Sequence, residues 1–121
     1  MSRRWQDNVA TQYTDPQIKV MVFLQNRKII FTSEIGITLS DVMGDGLVMD
    51  IFLSKPRLRI ECDSDYFHKG RDLEEEDKDR RLLELHRIRT IRLDNDKIML
   101  ASGKTYIEEM LKPYGVFGEE R

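Results

Sequence analysis

Leu47-Val48-Met49-Asp50-Ile51-Phe52-Leu53, then Ser54-Lys55-Pro56-Arg57, then Leu58-Arg59-Ile60-Glu61-Cys62-Asp63 is the stretch that decides the fold. The first run is apolar at six of seven positions and lies between Gly46 and Pro56, which in so short a segment indicates a strand buried on both faces. Asp50 is its one polar member. The last run alternates, with Leu58, Ile60 and Cys62 on one face and Arg59, Glu61 and Asp63 on the other, as a strand does. A hairpin through Ser54–Arg57 sets Asp50 beside that second face.

Upstream, Thr14-Asp15-Pro16 reads as a helix start, Thr14 or Asp15 capping and Pro16 at the first helical position, with Ile18, Met21, Val22 and Leu24 or Gln25 at helical spacing to about Asn26. Gln17 receives no role. Ile29-Ile30-Phe31 reads as a short strand, and the passage through Glu34, Gly36, Gly44, Asp45 and Gly46 as a loop or a second short strand pair. Downstream, Asp72 to Ile88 is expected to be a helix with acids in its first turn and bases in its last, as its macrodipole favours. Its apolar stripe is Leu82, Leu85 and Ile88, with Leu73 and Leu83 at the edge. Asp77, Arg80, Arg81 and Glu84 share another face. Arg89–Leu93 is the closing strand, and a last helix covers Thr105 to Leu111 before Pro113 and Gly115. The order helix, strand, strand, strand, helix, strand, helix predicts an α/β sandwich, a central mixed β-sheet flanked by helices.

The 121 residues suit one domain, 1–121, with 1–13 as a polar N-terminal arm. A charged fraction of 35% and a hydrophobic fraction of 40% describe a folded globular chain. No stretch approaches the roughly 18 apolar residues of a membrane span, and the start lacks the apolar run of a signal peptide. A cytoplasmic protein with no membrane association is expected, in the host cytoplasm if the chain is phage-encoded. The single Cys62 excludes an internal disulfide and reads as a packed core thiol, while Met43, Met49 and Met99 read as core filling and His86 as an ordinary surface or edge residue of the helix. A net charge of −2 argues mildly against non-specific nucleic-acid binding. Distribution matters more: bases recur at 55–59, 78–81 and 87–92, while acids concentrate between Asp63 and Asp79.

Carboxylates raise one another's pKa, so a cluster of them calls for a cation or a proton-transfer task. Asp50 and Glu61, on neighbouring strands, supply the one or two carboxylates that a hard cation such as Mg²⁺ takes from a protein. Asp63, two residues beyond Glu61, points the same way as a third acid or a group that orients water. Asp50 also reads as a structural acid paired with Arg59 or Arg92. Arg80 and Arg92 read equally as ion-pair partners of the acids or as phosphate contacts.

These residues, in this order, resemble the PD-(D/E)xK restriction-endonuclease-like superfamily. Asp50 in Val-Met-Asp-Ile-Phe-Leu, Glu61-Cys-Asp63 on the next strand, His68 after it, Asp77-Lys-Asp-Arg80 on the following helix and Thr-Ile-Arg92-Leu on the closing strand look most like its very-short-patch-repair branch and the homing endonucleases with an EDxHD motif. The likeness runs from about Asp15 to Leu93. It implies a restriction-endonuclease-like sandwich and a Mg²⁺-dependent (or Mn²⁺-dependent) endodeoxyribonuclease acting on DNA, while the small size of the chain leads us to expect a partner or a homodimer, because one compact domain buries little DNA surface beyond the cut. Asp50, Glu61 and Asp63 would be metal ligands, with His68 and Asp77 completing the catalytic set. Arg59, Lys69, Arg80 and Arg92 would lie near DNA phosphates. Asp63 stands where the superfamily has its lysine, so His68, whose unperturbed pKa lies near neutrality, takes the proton-handling role. The alternative is a catalytically inactive nuclease-fold domain that binds DNA or protein, its acids kept as an ion-pair network.

Overall fold

The computed structural model describes residues 13–40, 45–70 and 72–118, apart from the side chain of His68. Of the expected arm only Tyr13 is among them, and Met43 and Gly44 are outside. The first helix, α1 (Asp15–Asn26), starts where Thr14 and Gln17 form a reciprocal cap: Thr14 Oγ1 accepts from the Gln17 N–H at 3.4 Å and Gln17 Oε1 from the Thr14 N–H at 2.9 Å. Val20, Met21, Phe23 and Leu24 form its buried side.

Strands β1 (Ile35–Thr38) and β2 (Gly46–Met49) pair antiparallel, so the Gly-broken passage is the strand pair and not a loop. Ile29–Phe31 is not a strand; next to it only Thr32 pairs, bridging Phe52. The expected Leu47–Leu53 strand is two, because the chain bends at Asp50 between β2 and β3 (Ile51–Ser54). The bend leaves the register intact, since Thr32↔Phe52 lies three residues along both strands from Ile35↔Met49. β4 (Arg57–Cys62) pairs antiparallel with β3 and parallel with β5 (Arg89–Leu93), in the order β3-β4-β5.

Two helices lie between β4 and β5. α2 (Ser64–Lys69) was not expected; α3 (Leu73–His86) was, two residues shorter at its C-terminus, where Arg87 caps it in the left-handed conformation, φ 59° and ψ 35°. α4 (Asn95–Ile98) and α5 (Gly103–Leu111) follow β5, with a 3₁₀ turn at Lys112–Tyr114. The architecture is mixed α/β with two small sheets. No helix among the described residues is long and apolar enough to cross a membrane.

The two faces of the three-stranded sheet are built differently. Ile51, Leu53, Leu58, Ile60 and Leu93 point into the main core with α1, α4 and α5. Toward α3 the sheet presents Phe52, which packs with Leu82 and Ile88, and then Arg59 and Arg92, both buried yet charged. The expected apolar stripe of α3 holds only at Leu82 and, just beyond the helix, Ile88; Leu73, Leu83 and Leu85 are exposed. Buried guanidiniums need carboxylates, so α3 turns Glu75 and Asp79 inward in place of leucines.

Candidate functional site

The antiparallel register Ile51↔Ile60, carried one residue further, sets Asp50 across from Glu61, and Glu61 in turn stands opposite Arg92. The hairpin therefore brings the two expected ligands together. Both are half-buried. Gln17 Nε2 donates to Asp50 Oδ2 at 2.7 Å, while the other end of the same amide is fixed by the Thr14 N–H. Gln17, given no role from sequence, thus ties the start of α1 to the site. Asp50 has no ion-pair partner among the described residues.

Glu61 is held differently. Arg59 Nε reaches Glu61 Oε2 at 3.2 Å, and Arg59 Nη1 reaches Asp79 Oδ1 at 3.1 Å. Arg92 grips Asp79 through Nη1 and Nη2, at 3.0 and 3.1 Å, extends Nη2 to Glu75 Oε1 at 3.1 Å, and lies over the Tyr66 ring at 5.0 Å. Burial pushes the Glu61 carboxyl above the usual range, the Arg59 charge opposes this and the nearby Asp50 adds to it. Burial raises Asp79 likewise, against the pull of Arg92 and Arg59. The Cys62 thiol is pushed up to about 12 by burial and then by Glu61 and Asp50, which leaves it a neutral core thiol.

The other expected residues are placed less centrally. Asp63 extends β4 but caps α2, its Oδ1 accepting from the Tyr66 N–H at 3.3 Å. His68 lies on α2; its side chain is outside the described residues. Asp77 binds Arg80 and Arg81, and Arg81 runs on to Asp45 at 2.8 Å and to the Leu39 carbonyl at 3.3 Å. That side of α3 latches the β1–β2 hairpin, whereas Asp79, two residues on and so around the helix, faces Arg59. Asp79 and Glu75 are the helix acids in touch with the site, and their spacing from Leu82, at i, i+4 and i+7, is the signal that marks the face.

The four expected phosphate contacts divide in two. Arg59 and Arg92 are buried and bound to acids; Arg80, on the surface, is paired with Asp77 and Glu84, and Lys69 with Asp65 at 3.6 Å. Asp72 caps α3 through the Glu74 and Glu75 N–H groups. An open cleft of about 540 Å³ lies between α2 and the start of α3, lined by Asp63, Asp65, Tyr66, Lys69, Asp72 and Glu75 among others.

Among the described residues no three Asp, Glu, His or Cys side chains converge as a ready cation cage. The site offers a pair. Two carboxylates, with waters and a substrate phosphate completing the shell, are what Mg²⁺ commonly takes, so the donor set fits a hard cation. Compared with protein-family models, curated proteins and solved structures, the chain matches none.

Proposed function

We propose that the protein is a metal-dependent DNA endonuclease whose cation is held by Asp50 and Glu61. The observation that carries this reading is their pairing: two half-buried carboxylates side by side at a strand bend, one held by a neutral amide and the other sharing its arginine with Asp79. Such a pair is costly unless a cation completes it. The reading takes the fold as a restriction-endonuclease-like sandwich. In its support, an antiparallel hairpin carries both acids and a helix crosses over to a parallel third strand.

Mg²⁺ or Mn²⁺ bound there would supply Lewis acidity at the scissile phosphate and lower the pKa of the attacking water. The chain does the positioning. Gln17 fixes one oxygen of Asp50, and Arg59 fixes one oxygen of Glu61, leaving each carboxylate its other oxygen. Asp63 starts the helix that carries His68, the residue whose ordinary pKa suits accepting the proton of the water. On supercoiled DNA with Mg²⁺ or Mn²⁺, Asp50→Ala and Glu61→Ala should each abolish nicking while the circular dichroism spectrum stays that of the parent. Retained nicking sinks the assignment.

A second reading, a catalytically inactive domain of the same fold, is favoured by Asp63, which stands where a lysine is usual and caps a helix. The burial of Arg59 and Arg92 among acids favours it too. The two readings divide on metal titration: a nuclease site should raise the melting temperature with Mg²⁺ or Mn²⁺ in the parent and not in Glu61→Ala.

A further inference from the structure

The charges of this chain are separated along its strands. Asp50 and Glu61 lie at one end of the β3–β4 pair; at the other, β3 ends at Ser54, which pairs with Arg57, and parallel β5 begins with Arg89, which pairs with Leu58. The four steps from Arg57 to Glu61 cover about 13 Å at about 3.3 Å per residue. The α3–β5 connection joins this far end, because Arg57 Nε donates to the His86 carbonyl at 2.9 Å and Arg87 follows directly. Lys55, Arg57, Arg87 and Arg89 therefore lie at the same end of the sheet, all exposed, with Arg57 toward the α3 face and Arg89 toward the other.

Their environment differs from that of the other arginines among the described residues. Arg59, Arg80, Arg81 and Arg92 each hold an acid, whereas none of these four has an ion-pair partner among the described residues. Two of them are nevertheless steadied by rings, Arg57 over Phe52 at 5.7 Å and Arg89 over Tyr114 at 4.9 Å. A guanidinium held by stacking, with its nitrogens free of carboxylates, keeps its fork for an incoming anion and loses less freedom on binding. Lys112, on the turn that carries Tyr114, adds a flanking charge.

We infer that this basic end, formed by Lys55, Arg57, Arg87 and Arg89, is a docking surface for the phosphate backbone of nucleic acid, distinct from the candidate site at the acidic end. Three of the four are arginines, whose planar forks match phosphate oxygens, and a duplex offers closely spaced charges that one acidic side chain on a protein does not. The chain's net charge of −2 hides this surface, because its acids are gathered elsewhere. The surface stands whether or not Asp50 and Glu61 support cleavage.

The test is binding of the full chain to a short labelled DNA duplex in EDTA, where no cleavage occurs, read by anisotropy over a series of salt concentrations. The variant is K55Q/R87G/R89Q. Glycine at 87 keeps the left-handed cap, and Arg57 stays to hold the His86 carbonyl. The parent should bind with a steep salt dependence, and the variant should bind at least about tenfold more weakly with a salt slope smaller by about 3, one for each phosphate no longer neutralised. Equal affinity and slope in parent and variant overturn the inference, as does failure of the parent to bind DNA, or equally tight binding to polyglutamate. If the parent nicks DNA but the variant binds as the parent does, this surface falls and the nuclease reading stands. If nothing is nicked but the variant loses binding, the reverse holds.

Discussion

The two faces of the β3-β4-β5 sheet come from the same three strands and do opposite things. On the side of α1, α4 and α5, Ile51, Leu53, Leu58, Ile60 and Leu93 close against apolar side chains; on the side of α3, Arg59, Glu61 and Arg92 close against Glu75, Asp79 and Tyr66. The apolar face gains from burial alone and tolerates approximate fit. The polar face is stable only if every charge keeps its partner, and it sits beside Asp50 and Glu61. One face supports the fold, and the other fixes the geometry of the site.

The largest effect should come from breaking the polar face. Arg92→Met leaves Asp79 and Glu75 facing the sheet with one guanidinium, that of Arg59, and should cost about 3–5 kcal/mol, the usual penalty for removing one partner of a buried pair. Urea unfolding measures it. A loss under about 1 kcal/mol would mean that water enters this layer and that the two faces differ less than their side chains suggest.

On the apolar face the corresponding trimming should be milder. Ile60→Val, at a fully buried position packed among α1 and α5 residues, should cost about 0.5–1.5 kcal/mol with no change in the slope of the urea transition. A cost equal to that of Arg92→Met would erase the contrast.

How much of this was legible in the sequence follows from the same contrast. The alternation of β4, the Thr14 cap and the closeness of Asp50 to Glu61 all follow from short-range pattern, and the structure has them. The inward face of α3 was misread because periodicity assumes that leucines point inward. Here Leu73, Leu83 and Leu85 are exposed, since Arg59 and Arg92 on the strands call for acids opposite them. Among acids at 74, 75, 76, 77 and 79, only the phase set by Leu82 separates Asp79 from Asp77. Gln17 was out of reach for another reason: its partner Asp50 is 33 residues away, and its own neighbourhood reads only as a helix start. Asp63 shows one residue answering two patterns, as it continues the alternation of β4 and also caps the helix that begins at Ser64.

Acidity separates the polar layer from the surface latch on the other side of α3. Glu61 and Asp79 have folded pKa values raised by burial, so between an unfolded value of about 4 and their raised values the folded state holds more protons, and stability falls as pH rises through that window. Asp45 and Asp77, lowered first by hydrogen bonds, to Ser40 and Arg80 respectively, and then by bonds to Arg81, act the other way: they stabilise above about pH 4, and this is lost as pH falls through their folded values. Melting temperature against pH should therefore decline on both sides of an optimum near the unfolded carboxyl value of about 4. Glu61→Gln should flatten the alkaline limb and leave the acid limb unchanged; an unchanged alkaline limb would show that Glu61 titrates as an exposed carboxylate does.

The smallest effect is expected at Arg80. Like Arg92 it is an arginine with two acidic partners, but it lies on the outer side of α3, pairing with Asp77 and Glu84 in contact with water. In the folded protein those acids remain hydrated when the arginine is removed, so Arg80→Ala should leave the urea transition close to that of the parent, and closer still in high salt. The comparison with Arg92→Met then isolates burial as the cause, because residue type and number of acidic partners are alike. If Arg80→Ala abolished nicking while unfolding in urea as the parent does, its charge would belong to the reaction and not to the helix. If nicking also persisted, the acids around Arg80 would be its whole purpose, and phosphate contacts would have to be sought elsewhere on the surface.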